Sequence, residues 1–157
     1  AVTDTGVQVV VTTAIIQPDV PRNITATSGG TAGDIKAIRV IIAGTDAEDV
    51  AITETLPVFT ADSATTVAGT KAFKTVTSIT IPAHDGTGAT TAIGFGDVLG
   101  IGLRLARKSV KSAYLAEVIE GTAPTVVVDA ATLSENTFDL NSALNSTRVK
   151  LEVIPTS

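Results

Sequence analysis

Apolar and polar positions alternate through most of the chain and predict strands at short, regular intervals. Residues 7–16, VQVVVTTAII, form a β-branched run that Gln17-Pro18-Asp19-Val20-Pro21 stops. Two prolines three apart remove backbone donors and favour extended geometry. Residues 1–21 are therefore expected to be an extended N-terminal arm ending in a Pro hinge, ahead of a single β-sandwich domain over 22–157. The body opens with Arg22–Thr27 and a Ser-Gly-Gly-Thr-Ala-Gly-Asp loop. Ile35–Ala43 follows, with Ile38, Val40 and Ile42 on one face, and Val50–Leu56 returns as its hairpin partner. Lys71–Ile81 sets Ile79 and Ile81 on a shared face. Ala92–Gly96 and Leu99–Leu105 are short and Gly-rich, the mark of bulges or close backbone approach. Ser112–Ile119, Thr125–Val128 and Arg148–Ile154 complete the series, the last alternating at Val149, Leu151 and Val153. Helix is confined to a turn or two near Ala131–Asn136 or Ser142–Asn145. About nine or ten strands at spacings of about 8–14 residues fit an all-β sandwich or barrel, not βαβ units.

Composition strengthens that reading. A chain of 157 residues can bury one full core, and 44% hydrophobic with 17% charged residues places it well inside the globular range. Its apolar content is Val, Ile, Ala and Leu, with aromatics at only 3%. Thr supplies about one residue in six, far above ordinary usage. Val, Ile and Thr are stiff at χ1 and suit a pleated surface. With no Cys, neither disulfides nor thiolate chemistry is open to the chain. No apolar run reaches the ~18–20 residues of a membrane span. The N-terminus lacks the basic-then-apolar order of a signal peptide, and Ala1 is a residue of the kind left when an initiator Met is removed, so cytoplasmic synthesis is expected. A net charge of −5 argues against a general nucleic-acid binder.

Four clusters invite chemistry. Asp46, Glu48 and Asp49 lie between two apolar runs in IIAGTDAEDVAITET. A calcium loop wants alternating oxygens, a central Gly and a distant Glu. The run D-A-E-D lacks that order, and a solvated hairpin tip is expected. His84 lies in the turn-rich PAHDGTG, with Asp85 adjacent and no G-x-S-x-G elbow anywhere, so a loop histidine is expected rather than a catalytic base. Gly94-Phe95-Gly96-Asp97-Val98-Leu99-Gly100 approaches a dinucleotide motif, but its spacing is G-x-G-x-x-x-G and no βαβ pattern surrounds it. Arg104, Arg107, Lys108 and Lys111 concentrate four of the eleven basic residues. They read as a charged hairpin tip, with docking to an acidic partner as the alternative. Asn23-Ile24-Thr25 and Asn145-Ser146-Thr147 match glycosylation sequons, which have no force without secretion. No residue is assigned a catalytic, cofactor-binding or metal-binding role, and the protein is expected not to be an enzyme.

The ordered series NITATSGGTAGD, VIIAGTDAEDVAITETL, TTVAGTKAFKTVTSITIPAHDGTGATTAIGFGD and NTFDLNSALNSTRVKLEVI resembles structural proteins of tailed-bacteriophage virions. The resemblance implies an immunoglobulin-like or related β-sandwich that coats a head or forms part of a tail, without catalytic residues. It implies a decoration, or cement, protein on the capsid surface. Its partners would be the major capsid protein and further copies of itself, a trimer being favoured, with neither nucleic acid nor membrane. A tail or baseplate protein is the nearest alternative. A carbohydrate-binding module is another, although no Trp and a single Tyr, Tyr114, leave little for sugar stacking. Thr-rich strands suit the broad, flat contacts that such work requires.

Overall fold

The computed structural model describes residues 2–3, 6–144 and 147–154. The protein is all-β, with strands β1 (Val2–Thr3), β2 (Val9–Val11), β3 (Arg22–Gly30), β4 (Ile41–Thr45), β5 (Ala51–Thr55), β6 (Thr66–Ala68) and β7 (Thr75–Ile81). They are followed by β8 (Ala89–Gly100), β9 (Val110–Leu115), β10 (Val118–Ile119), β11 (Thr125–Val127), β12 (Thr137–Asp139) and β13 (Val149–Val153). All pairings are antiparallel. The first sheet runs β11-β12-β8-β3-β6, with β1 also on β8; the second runs β2-β7-β4-β5 and the third β10-β9-β13. Among the described residues no helix is long and apolar enough to cross a membrane.

The alternation seen in the sequence buries two cores. Ile24 and Ala26 of β3 meet Ile42 of β4, Val76, Ile79 and Ile81 of β7, and Phe59 and Phe73 in the first. Leu99 of β8, Val126 of β11 and Phe138 of β12 meet Ala113 of β9 in the second, with Val149, Leu151 and Val153 of β13 half-buried beside them. Each fully buried side chain of this size contributes about 1.5–3 kcal/mol. Strand β8 serves both cores: Ile93 and Phe95 pack on the first and Leu99 belongs to the second.

Where β8 passes from one core to the other, the β3–β8 register shifts between Arg22 and Ile24. Buried Asn23 fills the shift. Its Nδ2 donates to Gly69 O at 2.8 Å and its Oδ1 accepts from Val98 N at 3.2 Å. A Cβ on Gly96 would lie 2.3 Å from that Oδ1, which explains one glycine of the G-x-G pair. The dinucleotide-like segment is thus the second half of strand β8.

The sequence reading and the structure differ in particular places. Ile35–Val40 lies outside the named strands, and three of its carbonyls accept from the meandering segment after β5: Leu56 N donates to Val40 O, Phe59 N to Ile38 O and Asp62 N to Ile35 O. The predicted Ala92–Gly96 and Leu99–Leu105 strands are one strand that ends at Gly100. Ser112–Ile119 is broken into β9 and β10 by Ala116 and Glu117, both at positive φ. Residues 131–136 hold a single 3-10 turn, Leu133–Glu135; Ser142–Leu144 is not helical, and Asn145 lies outside the described residues. Part of the expected arm belongs to the second sheet, since Val9–Val11 pairs with Ile79–Ile81. At the hinge, Gln17 continues that pairing with its side chain: Val76 N donates to its Oε1 at 2.7 Å, and its Nε2 donates to Val76 O at 3.0 Å.

Candidate functional site

The acidic hairpin is built around one carboxylate. Asp46 is 2% exposed, and its Oδ1 accepts from Glu48 N at 2.9 Å and Val50 N at 3.0 Å. Asp46 N donates to Val50 O and Asp49 N to Asp46 O, which closes the β4–β5 connection with Asp49 at φ 63°. This corrects the expectation of a wholly solvated tip, because Asp46 holds the turn from inside. The outer two carboxylates face other elements. Asp49 meets Lys74 Nζ at 2.8 Å, and Glu48 takes a two-pronged contact from Arg104 at 3.1 and 2.5 Å. The acidic cluster and one member of the basic cluster therefore join each other across the molecule.

His84 is buried against the first core rather than exposed on its loop. Lys36 N donates to Nδ1 at 3.0 Å, so the ring proton sits on Nε2, 3.1 Å from Thr91 Oγ1. The ring stacks on Phe59 at 6.2 Å between centroids. Asp85 turns away to Lys36 Nζ at 2.7 Å, so it does not orient the imidazole. Among the described residues, no three His, Cys, Asp or Glu side chains converge as a metal would need.

Arg104, Arg107 and Lys108 occupy the connection from β8 to β9, which joins the first sheet to the third, and Lys111 is on β9. The expected hairpin tip is therefore a crossing between sheets. It is pinned by buried Leu105, whose N donates to Asn136 Oδ1 at 3.0 Å. Asn136 also accepts from Asp129 N and donates to Asp129 O and Thr132 O. Nothing in the sequence marks Asn136 or Gln17 for these roles. Of the sequons, Asn23 is buried, and Asn145 and Ser146 lie outside the described residues.

A groove of about 730 Å³ lies between the hinge and β13, floored by Leu99, Val149 and Leu151. Three charged residues on its edge are matched internally, Arg22 meeting Asp19 at 3.1 Å and Asp97 at 3.6 Å. Arg22 holds the Asp19 carboxyl below its ordinary value through that hydrogen bond.

The N-terminal stretch presents apolar side chains to solvent. Val7, Val10 and Ile16 are 61%, 52% and 82% exposed. They belong to a stretch, Thr5 to Pro18, that carries no charged side chain, and among the described residues β2 within it is an edge strand. The absence of charge was readable in the sequence. Neither family models nor curated proteins nor solved structures include a match to this chain. An all-β protein with sandwich-like packing is the class its fold defines.

Proposed function

We propose that the protein is a non-enzymatic structural component of a tailed-bacteriophage virion, decorating the capsid surface and bridging neighbouring capsid subunits as a homo-oligomer. The observation that carries this reading is the uncharged edge around β2. Natural edge strands are usually guarded by charge, proline or cover, whereas Val7, Val10 and Ile16 stand exposed beside an open strand edge. Such a surface suits a permanent neighbour. The intramolecular roles of Asp46, Glu48, Asp49 and His84 support the same reading, since these side chains serve the fold.

The test is to mix purified protein with bare and expanded capsids, with tails and with glycans, and to image the products by electron microscopy. Saturable binding at fixed positions on the capsid, lost in a Val10→Glu, Ile16→Glu variant that melts normally, is the expected result. Binding confined to tails or glycans, or none, overturns the capsid reading; capsid binding that the variant retains removes the β2 edge from it.

A further inference from the structure

We infer a second binding site, in the cleft between β9–β10 and β11, for an extended partner segment in which apolar side chains alternate with carboxylates. The cleft encloses about 500 Å³, within the range of ordinary ligand sites. Its floor is the open flank of the second core, where Val110, Ala113 and Val126 line it, with Ile119 and Pro124 at the side. Of the apolar lining, Ile119 is 59% exposed and marks the mouth. Apolar side chains inserted here would complete a core that the chain leaves unfinished.

Charge selects the occupant. Lys108 and Lys111 line the cleft and Arg107 adjoins Lys108. Among the described residues none of the three forms an ion pair, while Arg104 is matched by Glu48. Lys111 acts at longer range on the Glu152 carboxyl of β13, without a close contact. In a chain of net charge −5, this basic group, free of close ion pairs, attracts carboxylates and repels a basic segment. Glu120 also lines the cleft, opposite Ala113, to whose carbonyl its N–H donates at 2.8 Å. Lys111 lies two residues nearer the start of β9, so the acidic side chains of the occupant gather at the Lys108–Lys111 end. The site is therefore polar along its length and sets a direction for the segment.

The backbone selects an extended shape. Among the described residues, β10 and β11 are each terminal strands of their sheets, with one side unpaired. A strand added to either edge sends every second side chain toward the floor and the alternate ones toward the rim. This inference is independent of the capsid proposal, and its test uses no capsid.

The probe is a fluorescent ten-residue peptide with Val at alternate positions and Glu or Thr between them, followed by anisotropy. A counterpart carries Lys for Glu, and another carries Pro for Thr. The expected result is saturable binding of the Glu peptide that weakens with salt, and binding at least tenfold weaker for the Lys and Pro peptides. The exposed substitutions K108E and K111E together reverse the preference between Glu and Lys, with an unchanged melting temperature as the control. Equal binding of Glu and Lys peptides, no saturable binding of the Glu peptide at millimolar concentration, or indifference to K108E and K111E overturns the site. Equal binding of the Pro peptide overturns the strand-addition geometry.

Discussion

Replacing Asp46 tests whether the acidic turn is held from inside. In Asp46→Ala the amides of Glu48 and Val50 lose the acceptor that lies at 2.9 and 3.0 Å. A hydrogen bond to a charged acceptor contributes about 1.5–3 kcal/mol to stability. The two amides belong to exposed residues, so water recovers part of that loss, and the net cost is about 2–3 kcal/mol. For a chain of this length each kcal/mol lowers the melting temperature by about 2–4 °C, so a fall of about 4–12 °C is expected. Asp46→Asn keeps an oxygen at the same position and should lose about half as much. Thermal denaturation followed by circular dichroism, with urea titration for the free energy, measures both. An Asp46→Ala protein that melts within 1 °C or so of the parent would remove the carboxylate from its structural role. An Asn variant as weak as the Ala variant would show that charge, not acceptor geometry, holds the turn.

Two further predictions concern the third sheet. Ala116 and Glu117 sit at φ 52° and 65°, where an L-residue costs roughly 1–2 kcal/mol. The pair Ala116→Asn, Glu117→Gly supplies the residues that such a two-residue hairpin prefers and should raise stability by about 1–2 kcal/mol, read as a higher urea midpoint. The exposed Glu117–Arg148 contact at 3.4 Å, lost in that variant, contributes little. Glu152 accepts from Ser112 Oγ at 2.5 Å and from Lys150 Nζ at 3.0 Å, in that order of influence, and its carboxyl is held below its ordinary value. A depressed carboxyl stabilises the fold above its unfolded pKa, and the contribution fades as pH falls through the folded value. Glu152→Gln should therefore melt below the parent at pH 7, with the difference shrinking below about pH 4.3; a constant difference down to pH 2 or so would contradict the assignment.

Fold class was legible because β-branched alternation is a local signal with a period of two. Ile38, Val40 and Ile42 share a face as that period requires, and Val40 and Ile42 are fully buried. Element boundaries were less legible where distant residues decide them. Nothing local distinguishes Ala116-Glu117 from a strand interior, since the turn forms because β9 and β10 pair across it. Strands β6 and β12 escaped notice because Thr-Val-Ala and Thr-Phe-Asp each carry a single large apolar side chain. Phe73 and Val76, three apart, are both buried, because Phe73 precedes β7 and a register shift lies between Ala43 and Gly44 opposite its start. At the candidate sites the composition of each cluster was visible and its wiring was not. That Asp46 turns inward, that Glu48 reaches Arg104, and that His84 stacks on Phe59 all depend on long-range packing.

The shared strand β8 has a mechanical consequence. It pairs with β3 from Ala89 to Leu99 while lending side chains to both cores. A pull that draws the cores apart along β8 loads its rungs with β3 in shear, so many must yield together. A pull across the sheet would peel the same rungs one after another. The strand pairing thus opposes a pull along β8 more than one across it, and the direction of an applied force decides how many rungs share the load.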